Sequence, residues 1–225
     1  MENIEFENRD ICRECGGYCC KKCGCDYSPD DFENLKIDYL QSLLEKGNIS
    51  IVSYQKFKQI NGMIINEPFL YLRARNKNRP IVDLLSMKTT CASLQEDGCK
   101  FSLQERPKGG VNLIPASGDT PCYPLENPLD IVNGWKNHQK TLMNLVKRLT
   151  GKSTNRQLEE DVYRLFLDVI EGNFDGVYEA EIQDVLGMLP LLKDAYKTMY
   201  EKAVYDTSKK ASPQIVKRLT LNKRK

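Results

Sequence analysis

Six cysteines fall between Cys12 and Cys25, in the run Cys-Arg-Glu-Cys-Gly-Gly-Tyr-Cys-Cys-Lys-Lys-Cys-Gly-Cys. No other feature restricts the chain so strongly, because so much sulfur in one place must be satisfied chemically as well as packed. Three more cysteines follow at Cys91, Cys99 and Cys122. A thiolate is a soft ligand suited to zinc, copper(I) or iron–sulfur clusters. The spacing of Cys12 and Cys15 lets one tight turn aim two sulfurs at one ion. Gly16 and Gly17 follow, and glycine takes the positive φ such a turn requires. Cys19 and Cys20 are adjacent, and neighbouring side chains point apart in most backbone conformations. That pair therefore suits two ions, or one ion and one packing position. Cys23 and Cys25 flank Gly24. A bacterial ferredoxin run is excluded, because the gap from Cys15 to Cys19 is one residue too long. The Cys-x3-Cys-x2-Cys signature of radical enzymes is absent from this stretch.

Disulfides are the competing use of so many cysteines. An odd count of nine argues against them. So does the acidic start Met-Glu-Asn-Ile-Glu-Phe-Glu, which lacks a hydrophobic secretion region. No apolar run approaches the ~20 residues of a membrane span. The expectation is a soluble cytoplasmic protein, in a compartment that keeps thiols reduced. A formal charge of +2 argues for no particular partner.

After the cluster, Ser28 is a good N-cap, Pro29 fits the first helical position, and Asp30 and Asp31 suit the positive end of the dipole. Phe32, Leu35, Tyr39, Leu40, Leu43 and Leu44 recur at helical spacing up to a stop at Gly47. Ile49–Tyr54 and Phe69–Arg75 read as strands, with Asn61-Gly62 as a turn signal between them. Arg73, Arg75, Lys77 and Arg79 form a basic run, expected to be a solvated face rather than an anion or nucleic-acid site.

The second cysteine group is Cys91-Ala-Ser-Leu-Gln-Glu-Asp-Gly-Cys99, where an Asp97-Gly98 turn can bring the two sulfurs together. Arg106-Pro107 follows, then Gly109-Gly110. Pro121 and Pro124 stiffen the loop around Cys122, so a ligand there has little entropy to lose. The order Cys-x2-Cys-x3-Cys-Cys, then Cys-x7-Cys with its Asp-Gly turn, then Arg-Pro, resembles the cysteine-cluster family. This is the CxxCxxCC, or YkgJ-type, group of zinc- or iron-chelating domains, and the resemblance spans Cys12 to Pro124. It implies metal ligation by Cys12, Cys15, Cys19, Cys20, Cys91 and Cys99. Cys25 matches a further cysteine of some relatives, whereas Cys23 is an addition. Many members carry a cysteine shortly after Arg-Pro, where this chain has Gly109 and Gly110. Either Cys122 replaces that ligand or the site has one fewer. The resemblance implies metal binding more firmly than any reaction. Some relatives are described as iron–sulfur oxidoreductases, and flagellin lysine methylases share a similar cluster.

The remainder reads as helical. Pro128–Leu149 carries Ile131, Trp135, His138, Leu142, Leu145 and Leu149 near one face and ends at Gly151. Ser153 caps a second helix to Glu171, followed by Gly172, and a third runs from about Tyr178 to Tyr205 with a kink at Pro190. His138 is the only histidine and is read as a packed residue rather than a ligand or base. Gly151-Lys152-Ser153 is not a phosphate-binding loop, because the earlier glycine would have to be at Val146. From Thr207 to Lys225 there are seven basic residues and no acidic ones. That tail is expected to be a solvated arm, with contact to nucleic acid or an acidic partner as the alternative.

The expected fold is α+β, a cysteine-rich metal-binding head with a small antiparallel sheet followed by a helical C-terminal half. The boundaries are 1–127 for the head, 128–206 for the helical region and 207–225 for the tail. The candidate ligands are Cys12, Cys15, Cys19, Cys20, Cys25, Cys91, Cys99 and Cys122, for zinc or iron or an iron–sulfur cluster. A structural or regulatory metal protein is the first reading. An iron–sulfur oxidoreductase is the second and a protein methyltransferase-like enzyme the third. No catalytic residue stands out.

Overall fold

The computed structural model describes residues 13–14, 16–60, 63–84, 86, 89–96, 98–114, 122–152, 154, 157 and 172–173. The chain divides into two compact units, one of Met1–Tyr54 with Phe69–Ser153, the other of Gln55–Pro68 with Thr154–Lys225. The first unit contains every described cysteine.

Strands β1 (Ile49–Ile60) and β2 (Met63–Ala74) form a sheet with β3 (Val82–Asp83) in the order β2-β1-β3, and the first unit holds β1 up to Tyr54, β2 from Phe69 and all of β3. Two residues separate β1 from β2, a connection that only antiparallel strands can use. β3 is parallel to β1, with Ile51 opposite Val82 and Val52 opposite Asp83. The sheet is thus mixed rather than purely antiparallel. Serines on β1 explain the difference, because they hold the returning chain. Ser50 Oγ donates to Pro80 O at 3.0 Å, and Ser53 Oγ donates to Leu84 O at 2.6 Å. Phe69, Leu70, Tyr71 and Leu72 are all buried, so β2 is covered on both faces in this unit.

Ser28 caps a helical turn, as its sequence context predicts, but the turn is a single 3₁₀ turn over Pro29–Asp31. The helix proper, α1 (Ile37–Glu45), begins later and buries Leu40 and Leu44 one turn apart. The expected continuous helix breaks because Phe32 turns extended. Its ring packs 5.3 Å from that of Tyr27 and 5.8 Å from that of Trp135. Tertiary aromatic packing outweighs local helix propensity here.

The segment after Asn127 also breaks into pieces. α3 (Pro128–Asn133) passes through a 3₁₀ stretch, Gly134–His138, into α4 (Gln139–Thr150); α2 (Lys108–Val111) is a short earlier turn. The tighter stretch carries Trp135 fully into the core, where its indole N–H donates to Tyr27 O at 2.7 Å. Gln139 then binds β2 edge-on. Its amide oxygen accepts from Leu70 N at 2.9 Å and its amide nitrogen donates to Leu70 O at 2.8 Å. α4 buries Leu142, Leu145 and Val146 and packs against α1 and β3. It ends at Gly151 with φ +77°, a left-handed C-terminal stop. His138 is half-buried with its ring edge-on to Trp135.

The basic run is not the solvated face its sequence suggests. Arg73 and Arg79 are 7% and 1% exposed. Arg73 Nε donates to Asp26 Oδ1 at 2.8 Å, and its Nη2 donates to Tyr71 Oη at 2.6 Å. Arg79 grips Asp83 with two bonds, one from Nε to Oδ2 at 2.8 Å and one from Nη2 to Oδ1. Arg75 Nε donates to Arg79 O at 2.7 Å, and only Lys77 is exposed. These positions continue a buried strand, so their charges must be neutralised inside rather than solvated.

Ser153, the expected cap, lies outside the described residues; in the second unit a reciprocal pair of bonds forms at Thr154. Its hydroxyl accepts from Gln157 N, and the Gln157 side chain accepts from Thr154 N, each at 3.2 Å. Gly172 has φ +77°. The expected helices over 158–171 and 178–205 and the basic tail lie outside the described residues. Among the described residues, no helix is long and apolar enough to cross a membrane.

Removing one partner of a buried ion pair costs about 3–5 kcal/mol. Asp83→Ala is therefore expected to lose stability on that scale in urea unfolding. Asp38→Ala, at the exposed pair with Arg148, is expected to shift the midpoint little.

Candidate metal centre

The extended segment Cys23–Tyr27 lies along the outer side of β2. Ala74 N donates to Cys25 O at 2.8 Å, Tyr27 N donates to Leu72 O at 2.9 Å, and Asp26 pairs antiparallel with Arg73. Gly24 permits this approach. A Cβ on Gly24 would overlap the carbonyl oxygen of Ala74, and its N–H donates to Asn76 Oδ1 at 2.6 Å.

The chain beyond β2 then meets the second cysteine group. Lys77 N donates to Thr90 O at 2.7 Å, Ala92 N donates to Arg75 O at 2.8 Å, and Asn76 pairs antiparallel with Cys91. Cys91 N in turn donates to Cys20 O at 2.7 Å. Backbone pairing alone thus brings the Cys20, Cys25 and Cys91 positions together. Cys99 arrives on a two-strand ribbon, β4 (Leu94–Gln95) against β5 (Gly98–Cys99), in which Leu94 faces Cys99. The same Leu94 closes over Gly17, whose φ of +73° and missing side chain are both required there.

Cys122 enters from a second ribbon, β6 (Leu113–Ile114) against β7 (Tyr123–Pro124). Asn112 extends that ribbon with its side chain, donating to Glu126 O and accepting from Glu126 N, both at 2.8 Å. Cys122 N donates to Cys19 Sγ at 3.1 Å. Gly109 N donates to Asp26 O at 3.0 Å, and a Cβ on Gly110 would stand 3.3 Å from Cys25 Sγ. Gly109 therefore leaves room for the Asp26 backbone and Gly110 for the Cys25 side chain, and Cys122 supplies a sulfur from another side.

The outcome is one cavity of about 80 Å³ lined by Cys19, Cys20, Cys25, Cys91, Cys99 and Cys122. Cys23 is not in its wall. Cys12 and Cys15 lie outside the described residues. Among the described residues, the cavity wall contains no carboxylate or imidazole, and Arg106 is its one cation. The six sulfurs among these lining residues suit a soft ion. Among the described residues, no two cysteines are joined in a disulfide. Among the described residues, no three Cys, His, Asp or Glu side chains converge closely enough to hold an ion. The sulfurs surround a space rather than a point.

Cys25 keeps some residue surface exposed, but its thiol faces inward. Burial pushes that thiol well above its ordinary pKa, and Cys20, Cys91 and Cys23 push the same way. Burial also raises Cys91, while the backbone N–H of Ser93, which donates to its sulfur, works against the rise. Nothing in the sequence singles out Ser93, inside the Cys91–Cys99 spacing, or Asn112, because neither residue type is a ligand in that pattern. A serine two residues after a cysteine was the only available sign of the first.

The chain matches no protein-family model, no curated protein and no solved structure.

Gly24→Ala tests whether this assembly depends on the close approach to β2. Overpacking of this kind typically costs about 1–3 kcal/mol, and more where backbone must move. A loss at or above the top of that range is expected in urea unfolding, with greater thiol accessibility to a maleimide reagent. An unchanged midpoint would show that the segment can leave β2 freely.

Proposed function

We propose that the chain is a zinc- or iron-binding protein whose thiolate centre is built at this cavity and serves a structural or regulatory role. One observation carries the reading. Six cysteines from separate parts of the chain line a single cavity whose wall, among the described residues, holds no carboxylate or imidazole. Cys19, Cys20, Cys25, Cys91, Cys99 and Cys122 would hold the metal there, and the spacing adds Cys12 and Cys15. A single shared cavity favours one centre over two separate ones. The likeness to the cysteine-cluster family points the same way, on spacing alone.

A bound ion would tie the N-terminal loop, the 91–99 ribbon and the 122 ribbon together, a link now made by hydrogen bonds and packing. Drawing the sulfurs inward orders these loops, so metal-binding free energy is also folding free energy. All-thiolate zinc sites are closed and leave no position for an activated water, so hydrolysis is not the expected chemistry. A second reading, an iron–sulfur redox centre, is favoured by the number of sulfurs. Six is more than the four a zinc ion takes. Such clusters change oxidation state without an open coordination position.

Anaerobic purification, elemental analysis and an absorption spectrum test both readings. Between one and about two equivalents of zinc, or about four of iron in a cubane, are expected. Cys25→Ser and Cys91→Ser are expected to lose most of the metal, and Cys23→Ser to retain it. Metal at a hundredfold excess over its Kd is expected to stabilise the fold by about 2.7 kcal/mol. A visible band that bleaches reversibly with dithionite selects the redox centre, and a colourless zinc protein selects the structural one. A chain that takes up neither metal on anaerobic reconstitution would falsify the proposal.

A further inference from the structure

Ser93 sits in the wall of the cysteine cavity, between Cys91 and β4. It is 2% exposed. Its backbone is fully committed. The N–H donates to Cys91 Sγ at 3.4 Å, and the carbonyl accepts from Lys100 N at 2.9 Å. The hydroxyl is different, being buried with no hydrogen-bond partner among the described residues.

A buried hydroxyl left unpaired costs about 1–3 kcal/mol, a cost that alanine at the same position would avoid. Such a group calls for an acceptor. Among the described residues, no carboxylate or imidazole lines the cavity, and the lining side chains with lone pairs are chiefly cysteines. A neutral thiol is a weak acceptor. A metal-bound thiolate carries negative charge and is a much stronger one. Cys91 lies two residues away, and Ser93 already reaches its sulfur through the backbone N–H.

We propose that Ser93 is a positioning residue of the thiolate centre, its hydroxyl donating to the sulfur of metal-bound Cys91 alongside its own backbone N–H. This rests on reading the cavity as a metal centre. Two donors from one residue then hold one sulfur, spread its charge and orient it toward the ion. Hydrogen bonds to ligating groups tune metal affinity, and those to sulfur tune the potential of iron centres. The same hydroxyl stands idle when no thiolate is present.

The test compares the wild-type chain with Ser93→Ala by zinc titration against a competing chelator, by cobalt(II) absorption and by thermal unfolding of the metal-free forms. Ser93→Ala is expected to bind the same number of ions about tenfold more weakly. Its cobalt(II) form is expected to show a thiolate-to-metal charge-transfer band moved to lower energy, because an undamped thiolate gives up charge more readily. Metal-free Ser93→Ala is expected to be as stable as the metal-free wild type, or more so. Unchanged affinity and an unmoved band overturn the proposal, as they would if a buried water held the hydroxyl instead. A marked loss of metal-free stability also overturns it, since the hydroxyl would then have a structural partner. If the wild-type chain binds neither zinc nor cobalt and takes up no iron on anaerobic reconstitution, the reading of the cavity falls and Ser93's role with it. If the wild type binds and the variant equals it, only Ser93's role falls.

Discussion

The backbone of Gly24 lies against the carbonyl of Ala74, and the gathering of the cysteines follows from that approach. With the Cys23–Tyr27 segment held along β2, Cys25 is presented at one side of the cavity. The continuation of β2 presents Cys91 at another, because residues 75–77 pair with 90–92. Cys20 is tied to Cys91 through the backbone, and Cys19 receives the N–H of Cys122. Any side chain at position 24 would push this segment off the strand that aligns it.

The same edge carries a buried charge. Arg73 and Asp26 face each other across the pairing, and Tyr71 satisfies another guanidinium nitrogen. Burial works against the Arg73 charge, but Asp26 and then Tyr71 outweigh it and hold the group firmly protonated. An ion pair of this kind adds little net stability over an apolar pair of equal volume. It does penalise any register in which the two residues separate. Arg79 and Asp83 act similarly at the other edge of the sheet, where β3 depends on the loop they close.

Amide side chains complete what short strands cannot. Gln139 binds both polar groups of Leu70, and Asn112 binds both polar groups of Glu126. Each supplies the pair of bonds that a neighbouring strand would supply. The first fastens α4 to β2 and so fixes the core beneath the cysteine loops. The second steadies the ribbon that delivers Cys122. The cavity walls are therefore mostly irregular chain made rigid by side-chain bonds, which suits a place where several sulfurs must be held near one another but not in contact.

Local sequence determined the elements whose signals are short-range. The β1–β2 hairpin follows from its β-branched and aromatic runs, and the end of α4 follows from a glycine able to take a left-handed φ. The residue types and spacing also singled out the cysteines, because ligand chemistry is written in side-chain identity. Periodicity failed where distant rings and charges compete with local preference. Phe32 left its expected helix for Tyr27 and Trp135, and the 128–150 segment tightened around Trp135. Arg73 and Arg79 went inside because Asp26 and Asp83, remote or unremarked in the sequence, came to meet them. Only the tertiary structure could bring six cysteines from positions 19 to 122 around one space, leave Cys23 out of its wall and place an unpaired Ser93 hydroxyl within it. Those outcomes depend on backbone pairings between segments far apart in the chain, and spacing along a sequence carries no record of them.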